Sequence, residues 1–416
     1  MTRISALTDL LLHLLKWLLI AALVAVLAGT ASAGFLFALA WATNTRMAHP
    51  WLIWLLPLAG FAVGWLYLRY GNSVEGGANL LIDEIHDPKK IIPLRMAPLV
   101  LGATVVSHLF GASVGREGTA VQMGGALADQ LTRLFRLDTE DRRIVLMAGI
   151  SAGFASVFGT PLAGAIFGLE VLAIGRLRYE AMLPCLAAAV IADQVGLLWG
   201  VHHTHYAVPL IPAISSWTLC AMVVAGLLFG ITGKVFAAAT HGLSRSMKRW
   251  ISYAPLRPLA GGLVVACAVW LLGTDKYIGL GIPTIVDALK EPLPAWDFLG
   301  KMVFTIVSLG TGFKGGEVTP LFFIGATLGN ALGPLLHQPV TLLAAIGFVA
   351  VFAGAANTPI ASTLMAMELF GAEIGVYAAI ACVVAYLFSG HAGIYRAQRS
   401  GHAKRQQARQ QDGKPD

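Results

Sequence analysis

Between Glu317 and Glu368 the chain carries no aspartate, glutamate, lysine or arginine. Apolar stretches of helical length recur at about 9–42, 50–69, 96–112, 119–135, 144–175, 182–200, 216–240, 258–273, 298–310, 318–336, 340–371 and 374–390. Water cannot solvate so much apolar surface, and backbone polar groups in lipid must be satisfied internally, so the chain reads as an all-α integral membrane protein. Composition agrees: 57% of the 416 residues are hydrophobic and 12% charged, against roughly 25% charged in soluble domains. Ten or more membrane helices are expected in one polytopic unit, several stretches being too long or too broken for one simple crossing.

The first stretch ends in "AGTASAGF", which resembles a signal-peptide cleavage site, but its apolar run exceeds the ~7–15 residues of such a segment and reads as a span. The cysteines Cys185, Cys220, Cys267 and Cys382 have no paired spacing and read as small core residues, without disulfide or metal. After Tyr395 the chain has six basic and two acidic residues in 21 positions. This basic flank predicts a cytoplasmic C-terminus and a disordered tail over 397–416. No basic face with interleaved aromatics accompanies it, so nucleic acid is not an expected partner.

The chain also echoes itself. "FGTPLAGAIFGLEVLA" (158–173) resembles "ANTPIASTLMAMELFG" (356–371), with Glu170 and Glu368 each nine positions after a proline. Upstream, "GREGTAVQMGGALA" (115–128) aligns with "GGEVTPLFFIGATLG" (315–329), setting Glu117 opposite Glu317. Two blocks in the same order and spacing predict duplicated halves, 1–200 and 201–396. Such duplication marks secondary transporters, whose sites form where broken helices of each half present their ends. Glycines cluster where apolar runs are interrupted, in "EGGAN", "GASVGREG" and "GTGFKGGEVTP". Glycine-rich backbone opening a helix leaves N–H groups unpaired at the positive end of the dipole, which suits an anion.

These motifs, "GREG" opening a helix, "TPLAGAIFGLEVL" after it and "GGEVTP" in the second half, resemble the CLC family of anion channels and proton-coupled transporters over roughly residues 60–396. The resemblance implies a homodimer with one pore per subunit and a fold of two inverted-topology repeats with many tilted, broken helices. "NLLIDEIH", "GREGT" and "GGEVTP" resemble the fluoride/proton antiporters of bacteria, implying a multi-pass protein of the bacterial inner membrane, in contact with lipid, that exports fluoride against protons. A chloride channel or chloride/proton exchanger is the alternative. An intramembrane metal-dependent hydrolase built on "DEIHD" (83–87) is a third reading, which the carboxylate-bearing repeat opposes. Neither cofactor nor metal is expected, and "DEIHD" lacks the spacing of a helical zinc site.

On this resemblance Glu117 is the gating and proton-carrying carboxylate, competing with the anion for helix N–H groups, and intramembrane carboxylates are functional candidates by default. An ion pair with Arg116 is the competing reading, although adjacent helical residues do not face each other. Glu317 is either a second titrating carboxylate or a complement to the helix dipole. The anion site is expected to draw on Gly115, Arg116, Gly118, Val318, Thr319, Phe323 and Tyr395, with Ala78 at the family's serine position. Asn79 either offers amide donors to fluoride or caps a helix. Val171 falls where chloride exchangers carry an inner glutamate. Phe322 is either core or lining, Lys314 either draws anions or marks the water boundary, and "HHTH" (202–205) reads as a solvent-exposed loop.

Overall fold

The computed structural model describes residues 3–400 except His205, with side chains from Thr8 onward. Among the described residues there are sixteen α-helices. In chain order the first eight are α1 (Arg3–Ala48), α2 (Leu56–Tyr70), α3 (Ala78–His86), α4 (Met96–Leu109), α5 (Glu117–Leu134), α6 (Thr139–Phe158), α7 (Pro161–Glu170) and α8 (Met182–Leu198). The next eight are α9 (Ser216–Trp250), α10 (Leu256–Leu272), α11 (Ile282–Ala288), α12 (Asp297–Thr311), α13 (Val318–Leu335), α14 (Val340–Ala356), α15 (Pro359–Phe370) and α16 (Gly375–Phe388). Sheet is confined to a parallel two-residue pairing of Ala173–Ile174 with Arg399–Ser400.

Five helical segments are long and apolar enough to cross a membrane alone: Thr8–Ala48, Pro50–Tyr70, Tyr179–Leu198, Ser216–Trp250 and Val318–Leu335. "AGTASAGF" lies inside the first of them, within the uninterrupted α1. Others are far shorter. The 10 residues of α7 span ~15 Å at 1.5 Å per residue, about half the ~30 Å hydrocarbon thickness. Their ends therefore fall inside the protein, where each needs hydrogen-bond partners.

The stretch 144–175, one apolar run by composition, is two helices. Gly159 closes α6 in the left-handed region (φ 70) and Pro161 opens α7. In 340–371 the same work is done by Asn357 (φ 59), which closes α14, and Pro359, which opens α15. A left-handed residue ends the first helix, and proline, which has no N–H to lose, starts the next.

The exposed helix starts explain Glu170 and Glu368. Leu162 N and Ala163 N, at the start of α7, donate to the Glu368 carboxylate at 2.8 and 2.8 Å. Ile360 N and Ala361 N, at the start of α15, donate to Glu170 at 3.0 and 2.8 Å. Each carboxylate thus sits near the end of one short helix and closes the start of the other, so α7 and α15 lie antiparallel. Close packing elsewhere rests on small residues: α13 meets α14 where a Cβ on Gly325 would stand 2.0 Å from Gly347 O, the kind of contact that drives helix association in lipid.

Two expectations need correcting here. The chain does not become a tail at 397. Ala397 N donates to Asn79 Oδ1 at 3.0 Å, Gln398 Nε2 to Val171 O at 2.9 Å and Ala356 O at 2.8 Å, and Arg399 pairs with Asp87 at 2.6 Å. The rest of the expected tail, 401–416, lies outside the described residues. Nor is "HHTH" simply a solvent-exposed loop: His202 is exposed, but His203, Thr204 and the following Tyr206 are half-buried, while His205 lies outside the described residues.

The reciprocal caps generate a prediction. Glu368→Ala or Glu170→Ala strips two N–H groups of their acceptor and is expected to cost about 2 kcal/mol each, seen as a lower unfolding midpoint of the detergent-purified protein. Glu170→Gln, which keeps an acceptor oxygen, should lose less. Unchanged melting of both alanine variants would show that these contacts do not hold the helix pair.

Candidate anion and proton site

The starts of α5 and α13 are joined first by backbone. Gly115 N donates to Gly316 O at 2.6 Å and Gly316 N to Gly115 O at 2.8 Å, an isolated antiparallel bridge between the two halves of the sequence. Side chains are excluded: a Cβ on Gly115 would lie 2.9 Å from Gly316 O, and one on Gly316 would lie 2.7 Å from Gly118 N. The bridge brings two helix N-termini, with their unpaired N–H groups and positive dipole ends, to one place.

Glu117, the first residue of α5, is 0% exposed. Its carboxylate crosses to the start of α13. Oε2 accepts from Thr319 N at 3.0 Å and Arg116 N at 3.2 Å, and Oε1 accepts from the Thr319 hydroxyl. Arg116 Nε stands 3.5 Å from Oε1. The Arg116 contact thus does form, because Arg116 is the N-cap (φ −114, ψ −26) and lies outside the helix; the rule for neighbours within a helix does not reach it.

Two cavities flank this carboxylate. A small chamber of about 20 Å³ is lined by Arg116, Glu117, Thr319, Phe322, His203 and Tyr206, among others. A larger one of about 610 Å³ is lined by Ala78, Asn79, Gly118, Gln122, Glu317 and Tyr395, with Lys314, Lys248 and Arg396 further along its wall. Glu117 and Thr319 face the small chamber, while Gly118, next to Glu117, and Glu317, two positions before Thr319, face the large one. The Glu117–Thr319 contact borders the small chamber, and Gly118 and Gly315, beside the glycine bridge and its helix starts, border the large one.

The remaining residues divide. Glu317 is the N-cap of α13 and makes no side-chain cap bond; it is half-buried at the large cavity. Val318 is buried beside it. Tyr395 is buried at the same cavity, its ring edge-on to Phe167. Asn79 is not a helix cap, since Gly77 (φ 59) holds that position in α3; its bond to Ala397 uses the amide acceptor and not the two donors. Phe323, expected at the anion site, does not line either of these chambers, whereas Phe322, left open between core and lining, does. Phe322 lines the small chamber, stacked on Phe348 at 4.0 Å. Phe323 lies behind, against Gly281 and under the Lys301 ammonium at 5.3 Å. On a helix, successive residues point about 100° apart, and the sequence does not say which of the pair faces inward.

Sequence reasoning missed Gln122 and the His203–Tyr206 segment. The signal for the second was the polar run "HHTH", whose position in the fold no periodicity could give. "DEIHD" holds structure together: Glu84 pairs with Arg142 at 3.0 Å, Asp87 with Arg399, and His86 Nε2 lies 2.9 Å from Leu172 O. Among the described residues no group of three or more His, Cys, Asp or Glu side chains could hold a metal.

The family model described as voltage gated chloride channel matches residues 59–390. The chain belongs to this family, the CLC family. Its members are channels and transporters, not enzymes. The chain is 68% identical over 402 residues to a chloride/fluoride channel protein of Pseudomonas syringae pv. tomato, covering 95% of this chain and 89% of the relative. It is 26% identical to the H(+)/Cl(-) exchange transporter ClcA of Cronobacter sakazakii, covering 85% and 81%. A crystal structure of a CLC-type fluoride/proton antiporter superposes with a TM-score of 0.90 at 36% identity, covering 93% of this chain and 98% of that one. A slow cyanobacterial Cl-/H+ antiporter shares the fold at TM-score 0.78 and 20% identity. The protein is therefore a multi-pass membrane protein with the CLC fold of inverted-topology repeats.

The glycine bridge is testable by itself. Gly316→Ala places a methyl where backbone already stands, so the two helix starts must separate by several tenths of an ångström. Anion flux in liposomes is expected to fall about tenfold or more, as ~1 Å misplacements can cost 10²-fold. Wild-type flux from a well-folded Gly316→Ala variant would show that the bridge does not set the site.

Proposed function

We propose that this CLC protein is a proton-coupled fluoride exporter, exchanging cytoplasmic fluoride for external protons, with Glu117 as gate and proton carrier. One observation carries the reading: the Glu117 carboxylate occupies the Thr319 N–H at the start of α13, between two chambers, where a bound anion would otherwise sit. Ionised, it fills the site as an internal anion. Protonated, it no longer competes for the N–H, swings out, and fluoride takes its place. Anion and proton therefore take turns at the same donors, which couples their movements.

Fluoride gives up a tightly held water shell only to close hydrogen-bond donors. Thr319 supplies a backbone N–H and a hydroxyl, and Asn79 an amide whose donors are not used by its bond to Ala397. Glu317, at the large cavity, is the second titrating carboxylate, in place of the inner glutamate that Val171 replaces. The segment Tyr395–Ala397 lines the large cavity and leads into the basic C-terminus, so the large chamber faces the cytoplasm and the small one the outside. The repeats run over 1–200 and 201–396, and the carrier works as a homodimer in the bacterial inner membrane. Chloride is the alternative substrate, and the 68%-identical relative names both halides.

Purified protein in liposomes under a fluoride gradient tests this. Electrogenic fluoride efflux should drive proton uptake, with chloride much poorer; equal chloride flux rejects the fluoride assignment. Glu117→Gln should cut fluoride-driven proton uptake about 10²-fold, and an intact proton flux would remove Glu117 from the mechanism. Thr319→Ala and Asn79→Ala should weaken fluoride preference.

A further inference from the structure

We infer that His203, paired with Asp193, is a proton relay on the outer side of the carrier, taking protons from solution and passing them to Glu117 through one water in the small chamber. The inference deepens the antiporter reading and rests on it. Glu117 is 0% exposed, so a proton from bulk water needs an intermediate carrier. His203 lines the same chamber as Glu117, and its side chain is 13% exposed, at the edge of solvent. The chamber, about 20 Å³, has room for a single water, which needs roughly 10–15 Å³ and two to four polar partners. Those partners are present: Arg116 Nε, buried without a hydrogen-bond partner, and the polar side chains of Glu117, His203, Thr204, Tyr206 and Thr319.

The ring is held in place for this task. It rests on Gly159, where a Cβ would stand 2.5 Å from His203 Cδ2. Gly159 closes α6, and the negative end of a helix dipole favours an imidazolium. Nε2 lies 3.9 Å from Asp193 Oδ1 on α8, whose other oxygen accepts from Gln194 Nε2 at 3.2 Å. Asp193 and Glu117 favour the protonated ring. Arg116, at the start of α5, opposes it. Tyr206 is uncharged at neutral pH, Glu368 of α15 interacts electrostatically with Asp193, and in the chamber wall α13 and α14 present Phe322 and Phe348 besides the Thr319 hydroxyl. Imidazole is the side chain whose ordinary charge change falls between about pH 5 and 8, which suits it to such a relay.

The step balances. The imidazolium gives one proton to the chamber water, and the water gives one of its own to the Glu117 carboxylate. His203 is left neutral, Glu117 neutral and the water restored; the outer solution then reprotonates His203. Neutral Glu117 releases the Thr319 N–H, and the anion half of the cycle follows.

The test measures fluoride-driven proton uptake in liposomes against outer pH, for wild type, His203→Gln and Asp193→Asn, with and without imidazole buffer outside. His203→Gln should slow uptake several-fold at outer pH about 7, with the deficit shrinking as the outer solution is acidified and partly restored by imidazole. Asp193→Asn should shift the profile toward acid. A wild-type profile in both variants, or a loss equal at every pH and untouched by imidazole, overturns the relay. Failure of the two readings is separable: proton flux surviving in Glu117→Gln removes the antiporter mechanism, whereas its loss there with a wild-type His203→Gln profile removes only the relay.

Discussion

Two backbone hydrogen bonds, between Gly115 and Gly316, determine where everything else in the site can be. They join segments two hundred residues apart and leave no room for a side chain on either partner. With them in place, the starts of α5 and α13 confront each other, and a carboxylate on the first residue of α5 reaches the Thr319 N–H of α13. The long apolar helices make a membrane protein; this bridge brings two helix starts and their N–H groups to one place within it. The cost of irregular backbone at membrane depth is offset because its polar groups face each other or a cavity.

Much of this was legible in the sequence because it is written in local chemistry. Glycine flanking a charged pair in an apolar run, proline nine residues before each of Glu170 and Glu368, and the repetition of both blocks point to broken helices and an anion site without any knowledge of packing. What was not legible depends on contacts between distant segments. His203 reaches the chamber only because the loop before α9 folds back over the end of α6. Ala397 and Gln398 pack against the body of the protein because Asn79, Val171 and Ala356 receive them. Phe322 and Phe323 differ by one step along a helix, and only the packing of Gly281 and Lys301 assigns Phe323 to the interior. Arg116 touches Glu117 because a cap residue escapes helical geometry, which its neighbours in sequence do not announce.

One device is used three times in this fold: a glutamate carboxylate seated on the start of a helix that is not its own. Glu170 on α15 and Glu368 on α7 each receive two consecutive backbone N–H groups, and the two contacts are reciprocal. To release either, two donors must lose their acceptor while the opposite cap still pins the pair of helices, so these carboxylates act as locks. Glu117 takes only one N–H from α13; its other partners are a hydroxyl that can rotate and, from its own neighbour Arg116, the backbone N–H and the guanidinium Nε at 3.5 Å. No reciprocal carboxylate returns from α13, where Glu317 turns instead to the large cavity. Glu117, with the small chamber beside it, the large one bordering its neighbour Gly118 and a single foreign N–H to surrender, is the one of the three to which the proposed gating role is given. The difference between the three carboxylates lies in which helix start supplies their donors, in whether the contact is reciprocated, and in whether there is space beside the group to move.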